Sequence, residues 1–182
     1  MILKTIRFAK HNSDDAKKLL YVMDNTGLSD IWRKRYKFPE EKIVKILKQR
    51  ISERRYILIE LLENPFTFSK RVGGYVIFDS ADKKIDDLPG KYRKKNQNEY
   101  AYCYGIGVHS NYRNRGIAKQ LYDFAFKEAK REGYKGLYAD IDRDNVGSLK
   151  LHDRLGFTKI CEYKSKSRAN QSGHNVVFLK TF

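Results

Sequence analysis

The sequence predicts an α/β (α+β) domain, a mixed seven-stranded sheet flanked by about four helices, and three observations carry that expectation. Period-two or continuous apolar runs alternate with 3.6-residue periodicity in the order β-α-α-β-β-β-α-β-α-β-β. Residues 100–141 read strand–loop–helix–strand, the form of a parallel crossover, right-handed by the usual chirality of such connections. The 182 residues are 41% hydrophobic and 13% aromatic, enough to bury one core, so a single domain over 1–182 is expected.

Each element has its own reason. Residues 2–8 alternate Ile2, Ile6 and Phe8 with polar positions, as a strand does. Ser13, Asp14 and Asp15 have the composition of an N-cap and an acidic first turn; Ala16, Leu19, Leu20 and Met23 then share a face until Gly27. Pro39 opens a second helix, with Ile43, Ile46, Leu47 and Ile51 as its buried stripe. Residues 56–62 are continuously apolar, a strand buried on both faces, and Asn64-Pro65 ends it. Residues 72–78 supply its hairpin partner. The polar stretch 79–98, with Pro89-Gly90, is the longest loop and the one expected to move most. A strand at 100–108 leads into a helix at about 115–131, which turns Ile117, Leu121, Phe124, Ala125 and Ala129 inward and stops at Gly133. A strand at 137–141, a short helix at 145–155, and strands from Phe157 through Tyr163 and over 175–180 complete the chain.

Charge and cysteine usage narrow the function classes. The 38 Lys and Arg against 22 Asp and Glu give a net charge of +16, which attracts polyanions. Yet the basic residues are dispersed, their densest run is Lys91-Tyr92-Arg93-Lys94-Lys95 in the long loop, and neither an RNA-recognition aromatic motif nor a helix-turn-helix appears. Cys103 and Cys161 fall inside strands and are too few for a disulfide framework, so buried, reduced thiols are expected. With no signal-peptide core and no apolar run long enough to span a bilayer, a cytoplasmic protein is expected. No residues stand at metal-ligand spacing, and no nucleophile elbow is present.

The chemistry concentrates in Ile106-Gly107-Val108-His109-Ser110-Asn111-Tyr112-Arg113-Asn114-Arg115-Gly116-Ile117-Ala118. An apolar strand stops, a polar turn follows, and a helix begins. The first-turn amides of that helix have no intrahelical acceptor and, with the helix dipole, form an anion site. Gly116 and Ala118 remove bulk where a diphosphate would approach the backbone, and Arg113 and Arg115 add guanidinium forks. The loop lacks the Gly-Lys-Ser/Thr of a Walker site and the three glycines of a dinucleotide site. Downstream, Asn145 caps a helix in Asn145-Val146-Gly147-Ser148-Leu149-Lys150-Leu151-His152-Asp153-Arg154-Leu155-Gly156-Phe157.

Together these two stretches resemble the GNAT superfamily of N-acetyltransferases. Arg113, Gly116 and Ala118 meet its Arg/Gln-x-x-Gly-x-Gly/Ala pattern, and Ser110 stands where its turn often has proline. Asn145, Ser148, Leu151, Gly156 and Phe157 meet its later Asn-x-x-Ala/Ser-x-x-Leu-Tyr-x-x-x-Gly-Phe element. The resemblance implies a mostly antiparallel sheet and acetyl-CoA as acyl donor, lying where the fourth and fifth strands part. It implies pantetheine pairing around Ile106, Gly107 and Val108, diphosphate binding by Arg113, Asn114, Arg115, Gly116, Ile117 and Ala118, and further contacts from Asn145 and Ser148. It also implies direct attack by an amine. His152 stands where the family usually has a tyrosine general acid. For the general base Glu99 ranks ahead of Asp140 and Asp142. Tyr102 and Tyr104 line the fourth strand, and Trp32 and Tyr36 suit an acceptor wall; His109 borders the strand as a turn residue. The expected partners are acetyl-CoA and an amine acceptor, with a homodimer left open and neither membrane nor nucleic acid involved. Two rivals remain: a catalytically silent acyl-CoA sensor on the same fold, and a basic nucleic-acid-binding module.

Overall fold

A computed structural model describes residues 4–27, 33, 36–53, 55–64, 69–81, 99–164 and 173–182. Trp32, the basic run 91–95 and the rest of 82–98 lie outside the described residues. The elements are β1 (Lys4–Phe8), α1 (Ser13–Thr26), α2 (Glu40–Glu53), β2 (Arg55–Asn64), β3 (Ser69–Ser80), β4 (Tyr100–Val108), α3 (Ile117–Arg131), β5 (Gly136–Asp142), α4 (Val146–Arg154), β6 (Thr158–Lys164) and β7 (His174–Thr181). The order is the one read from the sequence, with a 3₁₀ turn added at Ser110–Tyr112. Seven strands make one sheet in the order β1-β2-β3-β4-β5-β7-β6. β4 and β5 run parallel, while the β1–β2, β2–β3, β5–β7 and β6–β7 pairs are antiparallel.

The chain groups into two compact units, Met1–Phe78 with Gly105–Ala125, and Asp79–Tyr104 with Phe126–Phe182. In the first, Asn12 rather than Ser13 caps α1: it is extended, and its side-chain oxygen accepts the Asp15 N–H at 2.8 Å. Gly27, at φ 76°, closes the helix in the left-handed conformation. The continuous apolar run of β2 is buried on both faces, with Ile57, Leu58 and Ile59 fully enclosed. Glu60 continues that run as a buried carboxylate, held by Arg7 at 2.8 Å. In the second unit, Tyr100, Tyr102, Tyr138, Cys161, Val177 and Leu179 form one buried cluster, with Tyr104 and Tyr163 packed against it. Both cysteines are buried free thiols, as expected. No described helix is long and apolar enough to cross a membrane.

Candidate active site

In the first unit, the end of β4 is fastened before the loop begins. The His109 N–H donates to Gly73 O at 2.9 Å, its carbonyl accepts the Tyr112 N–H at 2.9 Å, and the Arg113 N–H donates to Ser110 O at 3.2 Å. Asn114 (φ 59°) and Gly116 (φ 72°) then take left-handed conformations, which asparagine and glycine tolerate best. α3 starts at Ile117, two residues later than the pattern suggested, because these two residues turn the chain rather than wind it. The Gly116 carbonyl accepts the Gln120 N–H at 3.1 Å, so Gly116 is the N-cap. Asn12 and Asn145 cap their helices with side-chain oxygens. Glycine has none to offer, so the amides of Ile117, Ala118 and Lys119 keep their hydrogens for an outside acceptor.

The side chains of this loop divide by role. Arg113, Asn114, Arg115 and Gly116 are exposed, whereas Ile117 is buried and offers only its amide. Arg113 Nε donates to Val108 O at 3.2 Å, bracing the guanidinium beside the helix start, and Arg115 lies 5.9 Å from the Tyr112 ring centroid. A positive helix start whose N-cap is glycine fits a diphosphate. Ile106 is half-buried. Gly107 has a second claim on it: a Cβ there would meet the Tyr75 ring at 2.6 Å, so its smallness already serves the core.

In the second unit, β4 pairs with β5 only from Tyr100↔Gly136 to Cys103↔Ala139, while β5 continues along β7 to Asp142↔Asn175. Asp140 is the first β5 residue past that boundary. Its carboxylate accepts the Tyr102 hydroxyl on one oxygen, and the Tyr163 hydroxyl at 2.8 Å and Asn175 Nδ2 at 2.6 Å on the other. Burial, with the Asp140 charge second, holds the Tyr102 phenol well above its usual range, so it remains a donor. Tyr104 stands edge-on to Tyr102 at 5.0 Å and donates to Ser80 O at 3.2 Å. Tyr163 and Asn175 carried no sequence signal; β6 and β7 bring them in from across the sheet.

The other acids are spoken for differently. Glu99 pairs with Lys135 at 2.8 Å, at the paired end of β4 and four residues before the boundary, roughly 13 Å at strand rise. This placement favours Asp140 over Glu99 as the candidate base. Asp142 accepts the Asp144 N–H at 2.9 Å and shapes the turn into α4. There Asn145 Oδ1 accepts the Ser148 N–H at 3.1 Å. His152, 1% exposed, donates its Nδ1–H to Ser148 O at 2.8 Å and packs edge-on to Phe157 at 4.8 Å. Among the described residues no group of His, Cys, Asp and Glu is placed to hold a metal ion.

Comparison with known proteins fixes the family. The model of the acetyltransferase (GNAT) family matches residues 25–157. The chain belongs to the GNAT family. Its fold is shared with an N-acetyltransferase from Staphylococcus aureus Mu50, at TM-score 0.68 and 20% identity over 98% of both chains. A Salmonella typhimurium acetyltransferase, solved with its cofactor acetyl-CoA, matches at TM-score 0.64 and 18% identity over 98% of this chain and 93% of that one. The L-methionine sulfoximine/L-methionine sulfone acetyltransferase of Salmonella typhimurium is 30% identical over 69 residues, 38% of this chain. That match spans only 40% of the relative's length. Acetyl-CoA is the family's acyl donor, as the resemblance implied.

Within this GNAT chain His152, expected as a general acid, is buried. Burial pushes its pKa below the ordinary value. At neutral pH the ring is uncharged, with Nδ1–H committed to Ser148 and Nε2 able only to accept. Such a ring receives a proton more readily than it supplies one, so a general-acid role would require the ring to be protonated first. Its burial has a consequence for stability. His109 and His152 both have depressed pKa values, so the unfolded chain binds more protons once pH falls below about 6.5. Stability is fully present above that pH and is lost as pH falls toward the folded-state values. We expect the unfolding free energy from urea titrations to drop between about pH 7 and pH 5, by at most about 1.4 kcal/mol per pH unit for each histidine. His152→Leu should flatten part of that slope. Tyr36, offered as acceptor wall, is 52% exposed and stacks on Phe38 at 5.4 Å.

Proposed function

We propose that the protein transfers an acetyl group from acetyl-CoA to a primary amine of a small molecule or peptide, by direct attack of the amine in a ternary complex. The observation that supports this most is the start of α3, where a glycine N-cap leaves three amides for an anion between two exposed arginines. Bound acetyl-CoA would supply the thioester carbonyl that the amine attacks, the C–S bond breaking as the amide forms and coenzyme A leaving as a thiolate that takes up a proton. The amides of Ile117 and Ala118 with Arg113 and Arg115 hold its diphosphate, and Asn114 and Gly116 give the turn that admits it. The strand backbone from Ile106 to Val108 offers groups to the pantetheine amides, as an edge strand receives a peptide. Asn145, whose Oδ1 caps α4, has its amide nitrogen for the same arm, with Ser148 beside it. Asp140 takes the proton of the incoming ammonium, oriented by Tyr102, Tyr163 and Asn175. Tyr102 and Tyr104 form the aromatic face on that side.

The net charge of +16 disfavours polyamines and aminoglycosides and suits neutral or acidic amines: an amino acid, a small metabolite or a protein N-terminus. A thiol-release screen of acetyl-CoA against amino acids, peptides, polyamines and drug amines tests this directly. No thiol release with any amine, beside normal coenzyme binding, would make the chain a sensor instead. The phosphate site has its own test. Gly116→Val places a β-branched residue at φ 72°, a strain of about 1–2 kcal/mol, and is expected to weaken coenzyme A binding about tenfold in calorimetry. Unchanged affinity would remove the loop from the site.

A further inference from the structure

Within the first unit the loop is braced from outside by the last turns of α1. The Ser110 N–H donates to Asn25 Oδ1 at 2.6 Å. The His109 ring, 5% exposed, stacks on Tyr21 at 4.9 Å and 18°, with Tyr112 tilted against it at 5.6 Å. Its Nδ1 accepts the Asn111 N–H at 3.3 Å, so that nitrogen carries no hydrogen and Nε2 does. Asn25 and Tyr21 lie one helical turn apart on α1, so one face of the helix grips two successive loop residues.

Resting on the reading of this loop as the coenzyme A diphosphate site, we propose that Tyr21, Asn25 and His109 are its positioning residues. In this arrangement α1 holds the anion-receiving conformation as long as His109 Nδ1 accepts the Asn111 N–H. Protonating Nδ1 would set one donor against another and undo the turn at its first residue. The charged groups that act on the ring are Arg113 of the loop and Arg71 of β3; Tyr21 of α1 and Tyr112 of the turn also face it. Burial first, and then both arginines, lower its pKa, so the acceptor form prevails at neutral pH and is surrendered on acidification. None of the three residues need touch the coenzyme. Their effect passes through the shape of residues 110–116.

The test is calorimetric titration of coenzyme A into the full chain, wild type against Asn25→Ala and Tyr21→Leu, near pH 8 and near pH 5.5. Both substitutions are at exposed positions, so the fold survives them. At the higher pH each is expected to weaken binding about fivefold, the worth of one lost contact. At the lower pH the penalty should be smaller than at the higher, in the measure that protonation of His109 has already released the loop. Taking the ratio of variant to wild type cancels the coenzyme's own phosphate titration. His109→Asn, whose Oδ1 can stand in for Nδ1 without titrating, should keep at low pH the affinity that the wild type loses. Full affinity in both α1 variants, or a penalty equal at both pH values, overturns the proposal while the diphosphate site stands. A wild type that binds no coenzyme A at either pH overturns both.

Discussion

Asp140→Asn is expected to lower turnover about a hundredfold or more with the acceptor found by the thiol-release screen, at unchanged coenzyme A affinity. The substitution keeps the shape of the side chain and removes the atom that can take a proton. It also turns an acceptor toward a donor, since one amide nitrogen must now face Tyr102, Tyr163 or Asn175. Some stability will be lost for that reason, and a control must separate the two effects. Tyr163→Phe removes one hydrogen bond of about 1.5–3 kcal/mol to the carboxylate and leaves the carboxylate in place. It should lower the melting temperature as Asp140→Asn does, yet keep most of the turnover. Glu99→Gln should behave like wild type in turnover, because Glu99 is occupied with Lys135. If Tyr163→Phe and Asp140→Asn lose activity in proportion to stability, Asp140 is a scaffold residue and not the base.

The contrast between Glu99 and Asp140 shows what a sequence gives away and what it withholds. Period and punctuation determined the elements. Gly27 and Gly133 sit at helix ends in left-handed conformations, and the even-numbered tyrosines of β4 share one face as strand alternation requires. The loop proposed for the diphosphate was legible for the same reason: strand, turn and helix start are contiguous, so all its parts lie within 13 residues of chain. The Asp140 cluster was not legible. Asp140, Tyr102, Tyr163 and Asn175 meet only because β7 lies between β5 and β6, and no local pattern encodes that order. His152 is a different case. Its motif position suggested a chemical role, but its environment is set by Phe157 and Phe178, from the residues after α4 and from β7. Local spacing could not reveal that burial. Asn12 displaced Ser13 as cap by a single residue, the ordinary uncertainty of a helix start where two good caps adjoin.

Arg7→Met is expected to cost about 3–5 kcal/mol of unfolding free energy, a large share of what a domain this size possesses. The sequence offered Asp15 as an acidic first-turn residue favoured by the dipole of α1. The structure buries it to 2% exposure and gives both its oxygens to the Arg7 guanidinium, at 2.6 and 2.7 Å, with the Lys10 N–H at 2.6 Å. The same guanidinium reaches Glu60 at 2.8 Å, so one cation from β1 pairs with two buried carboxylates, from α1 and β2. Lys18, at 3.6 Å from Glu60 and 3.9 Å from Asp15, is a partial substitute at best. Removing Arg7 would leave two like charges enclosed together, whereas Asp15→Ala would leave Arg7 with Glu60 and should cost less. Hydrogen bonding from Arg7 is also the main reason the Asp15 pKa is lowered. The sign follows: this stabilisation is complete above about pH 4 and disappears as pH falls through the folded-state value. Urea midpoints of both single variants and the double variant, at neutral and acid pH, give the coupling. A penalty for Arg7→Met below about 1 kcal/mol at neutral pH would mean that solvent screens these charges as it does an exposed pair.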